Sequence, residues 1–328
     1  MSFPVLLQTF FTDRLMRQRG ASPHTVASYR DTFRLLLRFM STRTGKLPTD
    51  LQLEDLSATC IGEFLDDLES TRGIGASTRN ARLAAIRSFF RFVALREPFQ
   101  VLLCQQVLAM PNKRHERRQV SFLEREEIAA LIAAPDLSTR LGRRDRALFL
   151  LAIQTGLRVS ELIGLRCRDV TLGTGAHVRC LGKGRKERCV PLRQDVTSVL
   201  QEWIAERAVP PDDPVFVTIR SGFMSRDAVE RSLNKHIESA KVLCPSLRKK
   251  TVTPHTLRHT AAMELLRSGV DLAVIALWLG HESIKTTQMY LHADLKLKER
   301  ALARTSPSPT TPARYRPGDK LMAFLEGL

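Results

Sequence analysis

TPHTLRH at positions 253–259, followed by LGHESIKTTQMYLH at 279–292, decides how the second half of this chain folds and what chemistry it offers. Thr253 and Pro254 are a capping residue and a first-turn proline, so they predict a helix that carries His255 in its opening turn. His255 and Arg258 are three apart and share one face, while Leu257, Ala261 and Leu265 turn toward a core. Both polar groups then stand near a helix N-terminus, whose dipole favours an anion. Gly280 predicts the end of the helix bearing Trp278 and brings His281 out at a turn. Tyr290 follows nine residues later, within or just after a short helix.

Working outward, TGLRVSELIGL (155–165) places Arg158 after Gly156 at a helix–turn–helix junction, with Glu161 at i+3 where a carboxylate can orient a guanidinium. LGKGRKER (181–188) reads as a turn between strands His177–Leu181 and Glu187–Leu192, with Lys183 at its tip and Lys186 as a competing lysine. Val215–Ile219 is a candidate third strand. Each residue has an ordinary structural reading when taken singly: a surface ion pair, a cap, a packed phenol. Taken together, Arg158, Lys183, His255, Arg258, His281 and Tyr290 are a set able to break a phosphodiester without a metal. Guanidinium groups match phosphate oxygens bidentately, lysine and histidine move protons, and a tyrosine oxygen can attack phosphorus. His255 and His259 stand at i, i+4 like a zinc pair, but Arg258 lies between them and would repel a cation. GKGRK lacks the GxxxxGK[ST] frame of a phosphate-binding loop.

The 328 residues suit two domains, and Lys+Arg 51 against Asp+Glu 34 gives a formal charge of +17, the mark of a polyanion binder. Basic residues bunch at 113–118, 140–146, 179–188 and 248–250. Six cysteines without a CxxC pair read as reduced thiols of a cytoplasmic protein. The longest apolar run, Ala147 to Ile153, is too short to span a bilayer, and no signal peptide is expected, so no membrane partner is expected either.

Residues 1–110 read as four helices. They are a first with Phe3, Leu6, Leu7, Phe10 and Phe11, a second after Ser22-Pro23, a third after Ser57, and a fourth after the Gly73–Gly75 turn with Ser77 as its cap. Arg30, Arg34 and Arg38 form a stripe on the second helix, and Arg79, Arg82, Arg87 and Arg91 accompany the fourth; either set could grip phosphates. PNKRHERRQ (111–119), with Lys113, Arg114, Arg117 and Arg118, reads as a basic linker lying along a phosphate backbone. A second domain at 120–304 is expected to hold helices at 124–134, 144–155, 226–242, 254–268, 271–279 and 283–292. TSPSPTTP (305–312) is a spacer, and residues 319–328 are a final amphipathic stretch.

The chain resembles the tyrosine recombinases of the phage-integrase family. TGLRVSEL is similar to the family's first arginine box, GKGRKERCVPL to its catalytic hairpin, and HTLRHTAAMELLRSG with LGHESIKTTQMYLH to its second box; SPHTVASYRDTFRLLLRF carries the N-terminal likeness. The resemblance implies a mainly α fold with a small antiparallel β-sheet: an N-terminal four-helix SAM-like core-binding domain and a C-terminal α+β catalytic domain. It implies a site-specific DNA recombinase or integrase that works through a 3′-phosphotyrosyl intermediate on Tyr290 without metal, cofactor or ATP. In that mechanism Arg158 and Arg258 hold the phosphate, Lys183 protonates the leaving 5′ oxygen, His255 is general base or acid, His281 bonds the phosphate and Glu161 supports the site. The implied partners are double-stranded recombination sites and further copies of the chain, four across two sites, with the C-terminal stretch docking in trans or in cis. A type IB topoisomerase-like relaxing enzyme and a catalytically silent DNA-binding regulator are the rival functions.

Overall fold

The computed structural model describes residues 1–114, 120–182 and 187–292. Lys183 and Lys186, Arg117 and Arg118, the 305–312 spacer and the 319–328 stretch lie outside the described residues. The chain forms two compact units, Met1–Arg117 and Arg118–Leu328.

The first unit is a helical bundle. Helix α1 (Phe3–Thr9) runs directly into a π-helical stretch, Phe10–Gln18. The wider turn lets Phe10 and Leu15, five residues apart, both be fully buried. Phe10 then meets Phe89 edge-on at 5.5 Å and Phe33 at 6.3 Å, in an aromatic cluster that ties α1 to its neighbours. Helix α2 (Pro23–Thr44) is capped by Ser22, whose hydroxyl accepts from the Thr25 N–H, and ends at Gly45. Ser57 caps α3 (Ala58–Arg72) in the same way. Helix α4 (Ala76–Arg96) departs from expectation: it opens after Gly75, whose carbonyl takes the Thr78 and Arg79 N–H groups, so Ser77 is inside the first turn and not the cap. A fifth helix, α5 (Val101–Ala109), makes the bundle larger than the expected four. It starts just past the Pro98 break and buries Cys104 and Val107, three residues apart, in the core.

The second unit begins with α6 (Arg125–Ala133) and α7 (Arg140–Thr155). Helix α7 opens four residues earlier than expected because Thr139 caps it, accepting from the Gly142 N–H at 3.0 Å. Helix α8 (Val159–Gly164) is followed by strands β1 (Val170–Thr171), β2 (His177–Leu181) and β3 (Glu187–Pro191), a three-stranded antiparallel sheet in the order β1-β2-β3. Pairs Val178↔Val190 and Cys180↔Arg188 fix its register, with Val178, Cys180 and Val190 facing the core. Val215–Ile219 is not the third strand. Side chains occupy its carbonyls: Trp203 Nε1 donates to Val215 O and Arg144 donates to Val217 O, both at 2.8 Å. Val215, Phe216 and Val217 are buried by packing outside the sheet, while Ile219 is exposed.

Helices α9 (Gln194–Arg207), α10 (Arg226–Leu243), α11 (Pro254–Arg267) and α12 (Leu272–Leu279) complete the unit. The expected helix at 283–292 divides into a short α13 (Ile284–Thr287) and a 3₁₀ stretch, Gln288–His292. All six cysteines are free. Among the described residues no helix is long and apolar enough to cross a membrane.

Candidate active site

Helix α12 ends at Gly280, whose φ of +65° is the left-handed conformation that favours glycine, and its last three carbonyls anchor the site. Arg188 Nε donates to Trp278 O at 3.0 Å, Arg258 to Leu279 O at 2.6 Å and Arg158 to Gly280 O at 3.1 Å. Three guanidinium groups thus meet the negative end of one helix dipole. They arrive from three elements: Arg158 is the residue before α8, Arg188 lies on β3, and Arg258 sits one turn into α11. Arg258 also donates to Gly156 O at 2.6 Å, across the left-handed turn that ends α7. A guanidinium has five N–H groups, so these bonds fix each guanidinium plane and leave donors for a ligand.

Glu161 stands behind this array. Its side chain accepts from Arg158 at 3.0 Å and from two Arg188 nitrogens at 3.1 and 2.8 Å, and it also takes the Arg158 backbone N–H at 2.8 Å. Burial works against its charge, but the Arg188 bonds, the Arg158 N–H and both cations hold its pKa below the usual carboxylate value. Arg258 is 4% exposed; burial, followed by the charge of Arg158, lowers its pKa to about 10, so it stays cationic at neutral pH. Three guanidiniums around one carboxylate leave the turn positive, which suits a phosphate.

The nucleophile candidate is close by. Tyr290, 1% exposed, packs with Met263, Leu266, Ile275 and Leu279, and burial raises its pKa to about 12 against the opposing pull of Arg258. Its hydroxyl is 3.0 Å from His259 Nδ1. The His281 ring stacks on Tyr290 with centroids 6.5 Å apart, and its Nδ1 is 2.9 Å from Thr287 Oγ1. His255 is exposed and stacks on His259 at 6.4 Å. Burial, then neighbouring cations and rings, lowers His259 and His281 to about 4; His255 is lowered for the same first reason. The histidine beside the phenol is therefore His259 rather than His255.

Of the residues predicted from sequence, Arg158, Glu161, Arg258, His281 and Tyr290 converge on the α12 turn, with His255 at the outer edge. Arg188 and His259 were missed. The basic hairpin hid Arg188, though its alternation with inward-facing Val190 and Cys180 was a usable signal. His259 was weighed only as a zinc ligand, although its four-residue spacing from His255 already put both rings on one face. In the first unit, Arg30, Arg34, Arg38 and Arg91 are exposed, and Arg30 lies 3.2 Å from Asp31. Arg79 instead pairs with Glu69 at 3.3 Å, Arg82 donates to Ser28 O and Thr32 Oγ1, and Arg87 donates to Asn112. Lys113 pairs with Glu69 at 2.9 Å, while Arg114 is exposed.

Residues 121–296 match the phage integrase family, and residues 9–97 match the phage integrase N-terminal SAM-like domain. The chain is 53% identical over 327 residues to y4rC of Sinorhizobium fredii, named an integrase/recombinase, covering 100% of this chain and 98% of that one. It is 34% identical over 303 residues to the tyrosine recombinase XerC of Pelobacter propionicus, covering 92% and 95%. In structure it is similar to the XerH site-specific recombinase bound to a palindromic difH substrate in a post-cleavage complex, with a TM-score of 0.71 at 22% identity over 88% of this chain and 82% of that one. The chain belongs to the phage integrase family. It is accordingly a DNA strand-transferring enzyme of the tyrosine recombinase type, and the topoisomerase-like and catalytically silent readings are not favoured.

Proposed function

We propose that Tyr290 is the nucleophile of a site-specific strand exchange. The observation that carries this reading is a phenol placed between two histidine rings next to a turn on which three arginines are moored. The Tyr290 oxygen attacks the scissile phosphorus, forms a 3′-phosphotyrosyl ester and releases a 5′-hydroxyl. Arg158 and Arg258 bind the nonbridging oxygens and neutralise the charge that grows in the transition state. Lys183 protonates the leaving 5′ oxygen, His281 donates a hydrogen bond to the phosphate, and His255 acts as acid or base from the exposed side. Glu161 and Arg188 hold Arg158 in place and take no part in the bond changes. The 5′-hydroxyl of a second strand reverses the step, so the bond energy is conserved and no nucleotide triphosphate is consumed.

The partners are double-stranded recombination sites, bound by several copies of the chain, four across two sites, in the cytoplasm. The exposed Arg30, Arg34 and Arg38 stripe and the basic linker contribute phosphate contacts, and the C-terminal stretch docks in trans or in cis. The chain holds three tyrosines, Tyr29, Tyr290 and Tyr315, so the test is short. Each is replaced by Phe and the protein is mixed with nicked duplex that traps the covalent adduct. Tyr290→Phe loses the adduct and the other two keep it. Loss with Tyr29→Phe or Tyr315→Phe alone refutes the assignment, and so does an adduct that survives Tyr290→Phe.

A further inference from the structure

We propose that His259 is the proton acceptor for Tyr290: it orients the phenol and takes its proton as the oxygen bonds to phosphorus. This rests on the reading of Tyr290 as the nucleophile and gives the phenol's proton to the ring beside it, in place of His255, the acid or base expected from the sequence. The geometry is specific. His259 Nδ1 lies 3.0 Å from the Tyr290 oxygen, and the two rings meet edge-to-face with centroids 5.6 Å apart, so the imidazole both bonds and packs the phenol. Helix α11 puts His259 immediately after Arg258, so the acceptor and the phosphate-binding guanidinium leave the same helical turn. His255, one turn earlier, is a ring further out and exposed.

The groups that act on the pair are His255 and Arg258 from α11 itself and the His281 ring from the turn after α12, and His281 in turn feels Arg158 from the start of α8 and Arg188 from β3. Those acting on the two inner rings disfavour an added positive charge there, so His259 is neutral in the resting enzyme and its Nδ1 can accept. A neutral imidazole held near 4 does not ionise a phenol held near 12 before the reaction begins. The transfer therefore accompanies bond formation. The Oη–H bond breaks and the proton passes to Nδ1; the Oη–P bond forms while the P–O5′ bond breaks, and the 5′ oxygen takes its own proton from another donor. The incoming negative phosphate offsets the new imidazolium charge. When the second strand attacks, the phenolic oxygen recovers the proton from Nδ1, and the enzyme returns to its starting state.

The test uses the full chain and a nicked duplex built on the sequence selected by the protein from a random-sequence pool. His259→Phe keeps a ring but removes the acceptor; His259→Asn puts an amide oxygen close to the Nδ1 position, restoring orientation without a proton carrier. Adduct formation in a single turnover is expected to fall about 10²–10⁴-fold in His259→Phe, and less in His259→Asn. The deciding readout is pH. Wild type is flat from pH 7 to 9, whereas His259→Phe gains about tenfold per pH unit, because only phenol already ionised can react. Replacing the 5′ bridging oxygen by sulfur, a leaving group that needs no proton, leaves the His259→Phe defect in place. A His259→Phe enzyme as fast as wild type or faster overturns the proposal, and so does a slow one with a flat pH profile. An adduct on Tyr29 or Tyr315 defeats the parent reading and this proposal together; an adduct on Tyr290 that is indifferent to His259 defeats this proposal alone.

Discussion

Replacing Glu161 by Gln removes the one carboxylate among three guanidinium groups. The charged side chain, 4% exposed, accepts three bonds from Arg158 and Arg188 at 2.8–3.1 Å. A glutamine amide keeps one oxygen, which can still take the Arg158 backbone N–H and one Arg188 nitrogen, but its NH₂ would face one donor of each arginine. At least two charge-assisted bonds are lost, and two half-buried cations lose their counter-charge. Breaking such a pair from one side costs about 3–5 kcal/mol. For a unit of this size that is a fall in melting temperature of roughly 6–20 °C. Because the Glu161 pKa is lowered on folding, its contribution is present above the unfolded value of about 4.3 and is lost as pH falls through the folded value. The gap between wild type and Glu161→Gln should therefore be full at pH 7 and shrink toward pH 3. Thermal unfolding monitored by circular dichroism at both pH values checks this. A gap below about 2 °C at pH 7, or one that widens in acid, refutes the argument. Adduct formation should fall about 10–100-fold, as a slightly misplaced Arg158 predicts.

Gly156→Ala forces a side chain into the left-handed region and places a methyl 2.6 Å from Leu279 Cδ2 and 3.1 Å from Ala261 Cβ. The expected loss is roughly 2–4 kcal/mol, read by denaturant unfolding, together with weaker adduct formation because the same turn binds Arg258. Thr260→Val strands the buried Leu123 N–H, which donates to Thr260 Oγ1 at 2.9 Å, and should cost about 1–3 kcal/mol by the same measurement. In the first unit, Arg34→Ala should lower the slope of DNA binding against salt by about one without moving the melting temperature. Arg82→Ala should lower the melting temperature, because that side chain braces Ser28 and Thr32. If both variants change only the salt slope, the division into exposed and bracing arginines fails.

Local chemistry made much of the fold legible. Ser22 and Thr253 cap the helices they were expected to cap, the third helix follows Ser57 as expected, and Gly280 ends α12 as its position implied. Those signals act within a few residues, which is why sequence carries them. Helix α5 was not legible, because a short run after Pro98 with only Gln105 and Gln106 as polar positions is too brief to set its period. The 215–219 segment has the composition of a strand, but side chains from α7 and α9 take its carbonyls. In the site, Arg158 and Glu161 were readable as an i, i+3 pair. The partnership of Arg188 with Glu161 spans 27 residues and that with Trp278 spans 90, so no local pattern could announce it. His259 was hidden for the same reason: it is 31 residues from the phenol it meets.

The mooring of three arginines on three successive carbonyls means that one helix end helps to set all three guanidinium groups together. A displacement of α12 along its axis unhooks Trp278, Leu279 and Gly280 from their donors in a single event and carries His281 with them. Packed elements move between discrete arrangements more readily than they stretch. Any force that reaches this helix end therefore acts on the enzyme as a latch, fully set or fully sprung, and never as a dimmer.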